Sequence, residues 1–190
     1  MPTSNRSSVP PDQANPPRRY YAPTGGLPLQ SRQPDDKAIF TTAYALIPRG
    51  VMSDIVTSFL PHWQQTRLWV LARPLSGFAE TFSHYLVETA PSGGSTAPDD
   101  DAGAQSVLFV VAGSLRLTLD GTTYDLEAGG YAYIPPGMNW QTTNVGGEHV
   151  LFHWIRKRYQ AVAGIDTPSA LVTSDAAVDP IEMPDCDGVW

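Results

Sequence analysis

Four histidines, a run of three aspartates and one cysteine carry the most obvious chemistry in this 190-residue chain. Their spacing limits what they can do. His149 and His153 share a face if the stretch they bracket is a strand, yet at roughly 3.3 Å per residue they stand about 13 Å apart. They cannot directly chelate one ion. Asp99-Asp100-Asp101 could attract a hard cation such as calcium. With no glycine at the sixth position from its start and no glutamate at the twelfth, the run is not an EF-hand loop, and it reads as a solvated acidic loop. Cys186 lies between Asp185 and Asp187, whose charges disfavour a thiolate, so it is a poor nucleophile. Arg156-Lys157-Arg158 is a basic run expected to answer acidic loops or cap a contact. The chain has no G-x-S-x-G elbow, no phosphate loop and no G-x-G-x-x-G turn, and Gly93-Gly94-Ser95 is followed by no lysine that would hold a phosphate.

Any site must be held by elements the sequence can build. Twelve Lys and Arg against nineteen Asp and Glu give a net charge of −7, which argues against nucleic acid as a partner. The longest apolar run, Val107–Ala112, is far too short to span a membrane. One cysteine allows no intramolecular disulfide, and with no apolar stretch resembling a signal peptide at the N-terminus the expected location is the cytoplasm. The length suits one domain with tails. Residues 1–34 contain eight of the eighteen prolines. Residues 1–19 are therefore expected to be a disordered tail, and residues 20–38, with Tyr20, Tyr21 and Leu27, an extended arm.

From Ile39 the texture turns to short β-rich runs between Gly, Pro and Asp. Strands are expected at Ile39–Ile47, Arg67–Ala72, Phe78–Glu88, Val107–Val111, Leu115–Leu119, Thr123–Leu126, Tyr131–Ile134 and His149–Ile155. Leu115, Leu117 and Leu119 alternate with polar residues, the period of a half-buried strand. Asp120-Gly121 then supplies a type I′ hairpin turn. Ser53–Phe59 could form one or two helical turns. Residues 161–190 lose the alternation and read as a linker; the terminal Trp190 leaves a large apolar side chain with nothing after it. Many short strands with strong turn signals mean an all-β barrel or sandwich.

Two segments narrow the choice. Gly129, Pro135, Gly137 and Asn144 fit the spacing G-x5-P-x-G-x2-H-x3-N, with Trp140 at the histidine position. Anchored on Gly113, the spacing G-x5-H-x-H-x3,4-E-x6-G puts Ser106 at the glutamate position. Its histidine positions fall on Asp99/Asp101 or Asp100/Ala102, and its first glycine on Gly93 or Gly94. These patterns resemble the two motifs of the cupin family, whose fold is a double-stranded β-helix (jelly-roll-like) barrel, expected here over residues 39–160. Turn-shaping residues are kept. The imidazoles and carboxylate that would converge within about 2.0–2.2 Å of a metal are not. No metal ligand is assigned, and the barrel is expected to be metal-free.

Tyr20–Pro28, Tyr44–Ser58, Trp69–Glu80, Trp154–Tyr159 and the closing Met183-Pro184-Asp185 and Asp187–Trp190 resemble the N-terminal half of bacterial (S)-ureidoglycine aminohydrolases. These are bicupin hydrolases of purine (allantoin) degradation that convert ureidoglycine to ureidoglycolate and ammonia. The resemblance implies a manganese ion only in a second cupin, on Glu, two His and Gln. It also implies a non-catalytic role for this half, a partner cupin on the same or another chain, and a homo-oligomer. No catalytic residue is assigned. Tyr85, Ser106, Tyr133, Met138 and Trp140 are the candidate lining of a barrel pocket, with Trp140 expected to fill the space a metal would use. Two alternatives stand beside this reading. One is a stand-alone metal-free cupin that binds a small molecule in an open cavity beside Trp140. The other is a metal-independent epimerase-like cupin, which needs His84, His149 or His153 paired with a carboxylate inside the barrel.

Overall fold

The computed structural model describes residues 39–41, 44–46, 60–73 and 81–179. The expected tail and arm, the turn at Ser53–Phe59, Cys186 and Trp190 lie outside the described residues. A two-stranded hairpin pairs β1 (Ile39–Phe40) with β2 (Ala45–Leu46). Nine further strands follow: β3 (Trp63–Ala72), β4 (Ser83–Ser95), β5 (Ala104–Ala112), β6 (Leu115–Leu119), β7 (Thr122–Leu126), β8 (Gly130–Ile134), β9 (Trp140–Asn144), β10 (Val150–Arg158) and β11 (Leu171–Ser174). They pair antiparallel in the order β11-β8-β5-β10-β4-β9-β6-β7, with β3 on the free side of β4. This is the expected all-β barrel. Among the described residues the only helical element is a 3-10 turn at Asp175–Ala177, and no helix is long and apolar enough to cross a membrane.

β4 joins the two halves. Its first part pairs with β10 and its end, at Gly94 and Ser95, with β9. Passing from β10 to β9 requires a bend, supplied by Ser92 at φ 64° and by a register shift opposite, where Gln65 has φ 49°. At Gly94 the strands come so close that a Cβ would fall on the Thr142 carbonyl oxygen. Asp120 and Gly121 both have positive φ, 43° and 87°, as the expected hairpin turn demands.

Leu115, Leu117 and Leu119 turn inward with Val87, Leu108, Val110, Ile134, Val150, Phe152 and Trp154, forming the core. β3, β4 and β10 also bury Trp69, Leu86 and Leu151 on their outer face. Burial on both faces explains their nearly continuous apolar runs.

Four expectations need correction. Ile39–Ile47 was expected as one strand, but its described residues form the two arms of a hairpin, Ile39–Phe40 against Ala45–Leu46. β4 spans Ser83–Ser95, whereas Phe78–Glu88 was expected; the Gly-Gly pair that looked like a turn lies inside the strand. β9 and β11 were not expected. β9 turns Trp140, Thr142 and Asn144 inward, so its buried face carries one apolar residue and shows no hydrophobic alternation. β11 lies within the segment read as a linker and pairs Leu171–Ser174 against β8.

Candidate functional site

The barrel interior at the level of the motif positions is built around Trp154. Val150, Phe152 and Trp154 alternate inward on β10, which pairs with β5 on one side and β4 on the other. That register sets Trp154 between Tyr85 and Leu108, with Ser106 two residues further along β5, opposite Arg156. The Trp154 indole Nε1 donates a hydrogen bond of 3.0 Å to Ser106 Oγ, both residues being buried. Trp140 packs edge-on against Trp154 with ring centroids 5.8 Å apart. Tyr85 and Trp63 close around it at 5.3 and 5.7 Å. Met138 packs against the same core.

Arg156, the next inward position on β10, lies toward the barrel mouth. Its Nε and Nη2 donate to Asp99 Oδ2 and Oδ1 at 2.7 and 2.6 Å, and its guanidinium lies over the Trp154 ring at 6.0 Å. The acidic run is not simply solvated. Asp99 pairs with Arg156, Asp101 faces Arg158 at 3.8 Å, and Asp100 faces His62 at 3.5 Å. Arg156 and Arg158 fall two apart on a strand, as Asp99 and Asp101 fall two apart on the loop, so the two runs match side by side. Asp99 Oδ1 and Asp101 Oδ1 also accept the backbone N–H groups of Asp101 and Gly103, fixing the loop.

Two cavities flank this loop. The larger, about 630 Å³, is walled by Trp63, Leu68, Val70, Tyr85 and Trp154 and rimmed by Asp99–Asp101 and Arg156. The smaller, about 310 Å³, lies on the other side against Met138 and Trp140. Of the residues expected to line a pocket, Tyr85 lines the larger cavity, and Met138 and Trp140 line the smaller. Ser106 is buried beneath Trp154. Tyr133 is not brought to them. It alternates with inward-facing Ala132 and Ile134, and its hydroxyl donates to Gln105 at 2.8 Å. Burial pushes its phenol pKa up, with Tyr159 and Tyr131 adding to the shift. The sequence reading passed over Trp154, Trp63 and Arg156 as site residues. The alternation through Val150, Phe152 and Trp154 was the signal available for Trp154 and Arg156.

The residues at metal-ligand positions do not fit a metal. Ser106 already accepts the Trp154 N–H, Trp140 offers an indole with no free lone pair, and Asp99 is committed to Arg156. Among the described residues no three His, Cys, Asp or Glu side chains converge as a metal-holding group. Histidine acid–base chemistry inside the barrel fares no better. His84 Nε2 and His153 Nδ1 are hydrogen-bonded to each other at 2.9 Å, at strand positions alternating with inward-facing Tyr85, Phe152 and Trp154. None of His84, His149 and His153 lines either cavity. Burial, then the neighbouring His153, lowers the His84 pKa to about 4, and burial lowers that of His153.

Comparison with known proteins agrees with this architecture. Residues 85–156 match the family model "Cupin domain". The chain is 29% identical over 119 residues to the (S)-ureidoglycine aminohydrolase of Escherichia coli K12, a match covering 63% of this chain and 43% of that protein. A crystal structure described as a glyoxylate-induced protein of Pseudomonas aeruginosa aligns with TM-score 0.73 at 55% identity, covering 89% of this chain and 61% of that one. The Escherichia coli protein Ylba aligns with TM-score 0.69 at 24% identity, covering 77% of this chain and 59% of that one. The chain thus spans about half the length of these relatives. It carries a cupin domain, and it is related to ureidoglycine aminohydrolase.

Proposed function

We propose that this chain is the non-catalytic cupin of a ureidoglycine aminohydrolase-type protein. In this reading the barrel holds no metal and packs beside a second, manganese-bearing cupin of the same or a partner chain, within a cytoplasmic homo-oligomer. Hydrolysis of ureidoglycine to ureidoglycolate and ammonia then belongs to the assembled protein. The observation that carries the reading is the Trp154–Ser106 hydrogen bond with Trp140 set against it: the serine at the glutamate position of a metal cupin accepts the Trp154 N–H, and the indole at a histidine position packs edge-on against the same ring. The test is ammonia release from ureidoglycine in the presence of manganese. Turnover that requires a second cupin, supplied in cis or in trans, agrees with the proposal; turnover by this chain alone contradicts it.

A second reading, a small-molecule binding cupin, is favoured by one specific observation. Trp140 and Trp154 pack edge-on against each other, yet a cavity of about 630 Å³ remains open between Trp63, Tyr85 and Trp154, a volume within the range of ligand pockets.

A further inference from the structure

We infer that the cavity between Trp63, Tyr85 and Trp154 is a binding site for a small organic cation, such as an alkylammonium group on a short apolar body. This rests on the small-molecule reading and adds the ligand class to it. Three observations converge. The first is the wall: three aromatic residues line one cavity, their rings tilted by 37° and 49° relative to Trp154. Rings splayed in this way present faces and edges from different directions, as a cation enclosed by aromatics requires. Leu68 and Val70 complete the wall with apolar surface, suited to an alkyl body and not to a highly polar one.

The second is charge. The rim carries the carboxylates of Asp99, Asp100 and Asp101 against the single guanidinium of Arg156. Arg156 is answered by two hydrogen bonds to Asp99 and Arg158 faces Asp101, leaving one carboxylate, that of Asp100, in formal excess. His62 approaches Asp100 at 3.5 Å, both side chains largely exposed, where such a pair is weak. The field at the mouth therefore favours a positive ligand. The third is a precedent within the molecule. Arg156 lies over the Trp154 ring while Asp99 neutralises it, so a cation already rests on this aromatic cluster with a carboxylate behind it. An anion seeking Arg156 would have to displace Asp99 and approach two further carboxylates.

The test compares three probes of similar size by titration calorimetry and Trp fluorescence on the intact chain: choline, its neutral carbon isostere 3,3-dimethyl-1-butanol, and butanoate. The inference expects saturable binding of choline that weakens with added salt, and at least tenfold weaker binding of the other two. Tyr85→Leu should weaken choline binding by about threefold or more. Asp100→Asn, on an exposed loop position where folding is not at risk, should weaken it measurably and reduce its salt dependence. Equal or tighter binding of the neutral isostere or of butanoate overturns the cation assignment and leaves the small-molecule reading standing. Failure of all three probes to bind overturns both.

Discussion

The Trp154 indole N–H donates to the Ser106 hydroxyl at 3.0 Å inside the barrel, so a serine at a metal-ligand position serves as the acceptor for a core tryptophan. Removing one side of this pair leaves a buried polar atom without its partner. Trp154→Phe should destabilise the fold by about 2–4 kcal/mol, from lost packing and from the stranded Ser106 hydroxyl. Ser106→Ala should cost about 1 kcal/mol. Urea titration of both variants and the double variant checks the coupling: the double variant should be more stable than the sum of the single effects implies.

The acidic loop contains one strong pair and one weak pair. Asp99 is 7% exposed and holds Arg156 by two hydrogen bonds, whereas Arg158 opposite Asp101 is 77% exposed. Asp99→Asn should therefore cost about 2 kcal/mol, less than a fully buried pair because Arg156 keeps some contact with water. Asp101→Asn should change stability by less than about 0.5 kcal/mol. Equal effects in chemical denaturation would mean that the Arg156 clamp does not organise the mouth.

His84 and His153 set a pH dependence. Both are held neutral below the ordinary histidine range of 6.5, His84 down to about 4. Between those values the unfolded chain binds more protons than the folded one, so stability is full above about pH 6.5 and falls as the pH drops toward 4. Water reaches both rings, so the loss is on the order of 1 kcal/mol, well below the full worth of the shift. Melting temperature measured from pH 7.5 to 4.5 should fall, and His84→Gln should flatten the decline.

The barrel was legible in the sequence because its signals are local. Leu115–Leu119 alternates within one strand, Asp120-Gly121 fixes its own turn, and Gly129, Pro135, Gly137 and Asn144 keep their spacing whatever surrounds them. The site was less legible because it is assembled across strands. Tyr85 and Trp154 are direct partners in the β4–β10 register, but no spacing along the chain announces that pairing. Trp140 and Ser106 were identified through motif positions, and Met138 through the face it shares with Trp140. Tyr133 was misplaced because aromatic residues on a strand carry no mark of which face they occupy. β9 was invisible because its inward face holds Thr142 and Asn144. Asn144 is buried usefully, its amide donating to the Thr89 and Glu148 carbonyls.

The bend in β4 makes a prediction about two glycines. A Cβ at Gly94, where φ is +147°, would overlap the Thr142 carbonyl, whereas a Cβ at Gly121, where φ is +87°, would meet nothing within 4 Å. Gly94→Ala should cost about 3 kcal/mol or more, or prevent folding. Gly121→Ala should cost only about 1 kcal/mol, from backbone strain alone. Thermal denaturation of the two variants separates close approach from conformational preference.

Ser106 and Trp140 stand at positions that a cupin uses for its metal, one accepting the Trp154 N–H and the other packed edge-on against that ring. The most direct measurement is the metal content of this chain, expressed with added manganese and purified without chelators, by elemental analysis. The account predicts no stoichiometric manganese, and no change in melting temperature when a chelator is added. About one manganese per chain, lost on chelation together with thermal stability, would contradict it.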